Sequence, residues 1–188
     1  MTKFEIRRAL AGQRLFRHSD FDILSSFGIR HLSLNAMFDD LTDLYQQVIL
    51  DHSKSPRNFH KLDNANRTAQ GHNPLCGDHY TIYAVMDGDV IKDIGFQGSG
   101  CAISKASASI LTDSLKGKTK TDAKALFDKV HEMVTTGKVD GGDIGKLAVF
   151  AGVHKFPARV KCAILPWHAV VAAVEGRQEP VTTEREDM

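Results

Sequence analysis

The sequence predicts an α+β chain, on three observations. One stretch alternates apolar and polar residues about a tight turn, as an antiparallel hairpin does. Several others carry apolar residues at helical spacing between start and stop signals. The three cysteines fall on the loops that enter and leave the hairpin and at the start of a late helix.

Taken in order, residues Met1 to Ala36 stand apart. They hold six basic residues (Lys3, Arg7, Arg8, Arg14, Arg17 and Arg30) against three acids (Glu5, Asp20 and Asp22), with no sustained helical period. An Arg-rich, Ser-containing start is also the pattern of a transit peptide, but the acids speak against it. Residues 1–36 are therefore read as a poorly ordered extension, dispensable or misassigned, with Met37 just ahead of the first convincing helix. In that helix Leu41, Leu44, Tyr45, Val48 and Ile49 share one face, Asp39 and Asp40 supply the N-terminal cap and charge, and the end comes before Pro56. Asn58 to His72 reads as an irregular polar connector whose His60 and His72 have no assigned role.

The hairpin follows. Tyr80, Ile82, Ala84 and Met86 alternate with Thr81, Tyr83 and Val85; Asp87-Gly88-Asp89 forms the turn and Val90 to Phe96 the return. An antiparallel return brings Gln97-Gly98-Ser99-Gly100-Cys101 back beside the loop Asn73-Pro74-Leu75-Cys76-Gly77-Asp78. Small residues from Ala102 to Ser109, then Ile110, Leu111 and Leu115, predict a helix that packs closely on the sheet and closes at Gly117. Another runs from Asp122 to Val134, capped by Thr121 and stopped by Gly137, with Ala125, Leu126, Val130 and Met133 inward. A short helix is expected over Ile144 to Phe150. The last starts near Pro157, suited to a first turn, and runs toward Glu175, with Pro166 marking a kink or restart. Residues 177–188 read as a charged, disordered tail.

Composition sets bounds. The 188 residues, 42% hydrophobic and 25% charged, suit one soluble domain with a real core. A net charge of +1 gives no global attraction to nucleic acid or an anionic membrane. The apolar run Cys162 to Val174 is interrupted by Pro166 and too short to span a bilayer of ~30 Å. Three cysteines, an odd number, point to a reducing, cytoplasmic setting with free or metal-bound thiols.

The thiols carry the chemistry. In an extended segment residues i and i+2 face one side, so Cys76 and Asp78 can approach one ion, with Pro74 stiffening the loop and Gly77 freeing it. Cys76, Asp78, Cys101 and Cys162 then make a Cys3Asp set of the kind zinc accepts, its carboxylate corner the natural place for exchange. Three thiolates and a carboxylate around a divalent ion leave a net charge near −2. Arg159, one helical turn before Cys162, and Lys161 are the candidates to balance it, and a helix starting after Cys101 favours that thiolate. His79 and His154 are weaker alternative ligands.

Three separated motifs resemble the SufU branch of the IscU/NifU-like scaffold superfamily: Asn73-Pro-Leu-Cys76-Gly-Asp78, Gly98-Ser-Gly-Cys101-Ala-Ile-Ser-Lys-Ala-Ser-Ala-Ser109, and Phe156-Pro-Ala-Arg159-Val-Lys-Cys162-Ala. Leu44 to His52 and Ser55-Pro-Arg-Asn58 resemble the start of those proteins, so the likeness covers about Leu41 to Glu175, within a domain bounded at 37–176. Lys161 stands where IscU-like scaffolds carry histidine, and the segment from Cys101 to Cys162 is longer than theirs. Both features favour the SufU branch. The resemblance implies a small antiparallel sheet covered by helices, Zn2+ on the Cys3Asp set, Cys76 as sulfur acceptor and Arg159 in support. It also implies a SufS-type cysteine desulfurase as partner, a downstream iron–sulfur scaffold, and neither nucleic acid nor membrane. The rival expectation is a scaffold that builds a [2Fe–2S] cluster on the same ligands.

Overall fold

The structure, a computed structural model, describes residues 34–138, 144–177 and 179–184. The expectation of a poorly ordered extension lies outside them, apart from the opening of the first helix. Met1–Asp39 and Asp40–Met188 form two units, and the sheet, the thiols and every helix after the first belong to the second. In order come α1 (Leu34–Lys54), β1 (Arg67–Asn73), β2 (Asp78–Asp87), β3 (Val90–Ser99), α2 (Ala102–Leu115), α3 (Lys120–Thr136), a 3-10 helix (Gly145–Lys155), α4 (Pro157–Glu175) and β4 (Val181–Thr182). The sheet order is β3-β2-β1-β4.

The hairpin forms as its alternation predicts. Tyr80, Ile82, Ala84 and Met86 face inward, and β2 pairs antiparallel with β3 from His79↔Ser99 to Asp87↔Val90. β1 is an antiparallel neighbour of β2, formed where sequence pattern predicts only irregular connector. Its inward positions are Ala69, Gly71 and Asn73, so it lacks the bulky alternation that marks a strand. The smallness is required. A Cβ on Gly71 would sit 3.1 Å from Leu165 Cδ1 and 3.2 Å from the Ala169 Cβ, because α4 lies directly across this strand.

α4 is the buried axis of the helical layer and accounts for the long apolar run. From Cys162 to Val174 nearly every side chain is buried, with Trp167 at 1% exposure. Pro166 does not break it: the helix is continuous from Pro157 to Glu175. Proline brings no N–H, so the Cys162 carbonyl four residues earlier loses its helical partner, and packing on every side offsets the loss. α2 packs against α4 through its small residues, where Ser107 Oγ donates to the Ala163 carbonyl at 2.7 Å. Each large buried apolar side chain here is worth about 1.5–3 kcal/mol relative to exposure.

Several expectations change. α1 begins at Leu34, so Asp39 and Asp40 lie within it and do not cap it. Among the side chains described, its stripe meets the core near the C-terminal end, where Val48 and Ile49 pack and His52 is buried, while Leu44 and Tyr45 are 57% and 40% exposed. Thr119, not Thr121, caps α3, through a capping box with Asp122. The inward residues of α3 are Ala123, Val130, Met133 and Val134, with Leu126 at the margin and Ala125 exposed. The helix expected over Ile144 to Phe150 is a longer 3-10 helix. The tail is not wholly irregular: Val181 and Thr182 add a parallel edge to β1 opposite Gly71 and His72, making the sheet mixed.

Among the described residues no helix is long and apolar enough to cross a membrane.

Candidate metal and thiol site

β1 and β2 end together at the pair Asn73↔Asp78, and the connection 74–77 carries Cys76. Gly77 takes φ +68°, a left-handed value that favours glycine. The turn, not the pleat of an extended strand, therefore brings Cys76 and Asp78 to one side. Asn73 is fully buried and holds the turn: its Oδ1 accepts from the Leu75 amide at 3.2 Å. Its Nδ2 lies 3.6 Å from Cys162 Sγ. Sequence pattern alone assigns Asn73 no role of its own; an Asn-Pro pair entering a cysteine loop is the available signal.

A sulfur of Cys76, a carboxylate oxygen of Asp78 and the sulfur of Cys162 all lie within 4.8 Å of one another. Cys162 Sγ is 3.1 Å from Cys76 Sγ and 3.5 Å from the Ala158 carbonyl oxygen. Cys162 is fully buried, whereas Cys76 is half-buried at the mouth. Asp78 is also fully buried. Its Oδ1 accepts the Cys101 backbone amide at 2.8 Å, and its Oδ2 has no hydrogen-bond partner.

Cys101 returns next to this group, as the hairpin requires, but its sulfur stands outside the three. It caps α2, accepting from the Ser104 amide at 3.5 Å. The charge balance among the thiols is uneven. The neighbouring Cys162 thiol, helped by the Ser104 amide and opposed by burial, brings Cys101 down to about 6. Cys101 in turn, then burial and the neighbouring Cys76 and Asp78 side chains, push the Cys162 thiol up. The pair is tightly coupled, with Cys101 shifted toward its thiolate and Cys162 toward its thiol. Burial also pushes up the Tyr80 phenol, which sits behind Asp78 and Cys101.

Arg159 responds to that charge: first the Cys101 thiolate, then Cys162, hold its guanidinium even more firmly protonated. Lys161 does not serve the thiols; its Nζ lies 3.5 Å from Glu184 Oε1 in an exposed pair. His79 lies 3.4 Å from Ser99 Oγ, and His154 Nδ1 lies 2.6 Å from the Ala151 carbonyl, so neither joins the cluster.

The donor set suits zinc. A buried carboxylate oxygen without a partner is costly, and here it lies beside sulfur donors, one already inclined to ionise. Thiolate and carboxylate donors on separate elements are the chemistry of a tetrahedral zinc site.

The family model for the NifU-like N terminal domain matches residues 44–163. The chain is 43% identical over 149 residues to the zinc-dependent sulfurtransferase SufU of Bacillus subtilis (strain 168), covering 77% of this chain and 99% of that protein. It is 42% identical over 136 residues to the iron–sulfur cluster assembly scaffold protein IscU of Streptococcus pyogenes serotype M1, covering 72% and 85%. Among solved structures it superposes with a TM-score of 0.65 and 37% identity on a putative iron–sulfur cluster assembly scaffold protein for the SUF system from Fervidobacterium islandicum AW-1. That match covers 68% of this chain and 94% of the other.

Proposed function

Since the chain belongs to the NifU-like N-terminal domain family, within the IscU/SufU superfamily, we propose that it is a zinc-dependent sulfur-transfer protein of iron–sulfur cluster assembly. It accepts persulfide sulfur from a SufS-type cysteine desulfurase in the cytoplasm and passes it to a downstream scaffold. The observation that carries the reading is the partnerless Oδ2 of buried Asp78 beside the sulfurs of Cys76 and Cys162.

Cys76, Asp78 and Cys162 would hold Zn2+, with Cys101 as fourth ligand. When bound, the ion keeps thiols deprotonated at neutral pH. The chain's own residues divide the remaining work. Cys76, at the mouth, attacks the outer sulfur of the partner's persulfide. The new S–S bond forms on Cys76 while the old one breaks, and its electron pair leaves on the partner's cysteine thiolate, so the exchange is redox-neutral. Asp78 fixes the start of α2 through the Cys101 amide. Arg159 offers a fixed positive charge beside the thiols.

A cluster scaffold on the same ligands is the second reading, favoured by the similarity to the S. pyogenes IscU. Metal analysis of anaerobically purified protein, paired with a desulfurase assay with and without it, separates the two. Zinc near one equivalent with faster turnover supports sulfur transfer. A brown iron- and sulfide-containing protein without stimulation supports the scaffold.

A further inference from the structure

Leu75 and Phe156 are the most exposed large apolar side chains among the described residues, at 64% and 61%. Both lie close in the chain to groups of the thiol site. Leu75 directly precedes Cys76, and Phe156 lies just before Ala158, whose carbonyl oxygen is 3.5 Å from Cys162 Sγ. Their backbones are fixed. The Leu75 amide is held by Asn73 Oδ1 at 3.2 Å. The Phe156 amide donates to Val153 at 2.8 Å, and its carbonyl accepts from Arg159 at 2.7 Å and from Val160 at 3.1 Å. Two exposed apolar side chains on fixed backbone beside a half-buried thiol are features of a binding surface, and among the described residues neither belongs to the hydrophobic core.

Charge indicates the occupant. The stretch from His154 to Lys161 holds Lys155, Arg159 and Lys161 and no acid. Arg159 feels the charge of the thiols and is exposed to whatever approaches them. Such a rim favours a partner that brings negative charge to Cys76, as an ionised persulfide does.

Resting on the sulfur-transfer reading above, we infer that Leu75 and Phe156 are the apolar anchors by which the persulfide-carrying desulfurase docks, with Lys155 and Arg159 facing anionic groups around its sulfur. Direct transfer requires the two sulfurs to meet, so the partner must cover the border of Cys76. The most exposed large apolar side chains of the described residues lie close in the chain to groups of that site.

The test uses the zinc-loaded full-length chain, Leu75→Ser, Phe156→Ser and the double variant, with a purified SufS-type desulfurase preloaded with L-cysteine. Binding is measured by calorimetry, zinc by elemental analysis, size by light scattering, and sulfur uptake on Cys76 from inorganic polysulfide as a small donor. Each single change should raise Kd about tenfold and the double change further, with zinc content and polysulfide uptake unchanged. Unchanged Kd in the double variant overturns the inference. Loss of zinc or of polysulfide uptake makes the pair structural and also overturns it, as does wild-type self-association abolished by the substitutions, which assigns the patch to a second copy. Wild-type protein that neither binds nor stimulates the desulfurase removes the sulfur-transfer reading itself, and this inference with it.

Discussion

The sulfurs of Cys76 and Cys162 lie 3.1 Å apart, yet they face different surroundings: Cys162, on α4, is fully buried and Cys76 is half-buried at the mouth of the cluster. On the proposed sulfur-transfer function, an incoming persulfide reaches the exposed member first. Incubation with persulfidated desulfurase, trapping and peptide mass mapping should place the extra sulfur on Cys76. Sulfur found mainly on Cys101 or Cys162 would reverse the assignment.

Asp78 has two separable tasks. Asp78→Asn keeps an oxygen to accept the Cys101 amide but removes the charge, so zinc should bind more weakly with little change in apo stability. Asp78→Ala also strands the amide, at about 1–3 kcal/mol by denaturant unfolding of the apo protein. Asn73→Ala, which loses the contact to Cys162 and the turn bond, should lower zinc affinity roughly 10–100-fold in chelator competition. Equal zinc affinity in wild type and Asp78→Asn would remove Asp78 from the ligand set.

Gly100 is constrained by its neighbours. A Cβ there would meet the Tyr80 hydroxyl and stand 2.8 Å from Asp78 Oδ1, whereas at Gly152 nothing lies within 4 Å. Gly100→Ala should cost about 1–3 kcal/mol and weaken zinc, because the displaced atom belongs to the carboxylate proposed as a ligand. Gly152→Ala is the control that should do neither.

His52 gives the stability a pH dependence. It is 2% exposed, and its Nδ1 lies 2.8 Å from Ser109 Oγ, which also accepts the Arg57 amide at 2.8 Å. Burial first, then the Arg57 charge, lowers its pKa. The unfolded chain therefore takes up the proton before the folded one does. This contribution is complete above the ordinary histidine value near 6.5 and declines as pH falls through the folded value. Urea unfolding between about pH 5 and 7.5 should show stability falling on acidification, with a shallower slope in His52→Asn. Parallel slopes would assign the dependence to other groups.

Local pattern was enough to read much of the protein. The alternation of Tyr80, Ile82, Ala84 and Met86 determined the hairpin, since a period of two leaves one face to bury. The hairpin in turn determined that Cys101 returns beside Asp78. The thiols, carboxylate and Arg159 were legible because few residue types bind metal or carry a permanent charge. Tertiary packing decided the rest. β1 was hidden because α4 presses on it so closely that only Ala69, Gly71 and Asn73 fit inside, and small residues carry no strand signal. The tail joined the sheet because β1 had a free edge, which the sequence of Val181 and Thr182 does not announce. Leu44 and Tyr45 have helical spacing, but spacing states which residues share a face, not whether anything covers it. The unequal character of the three cysteines arises from burial and from one another, and exists only once α2, α4 and the 74–77 turn have met.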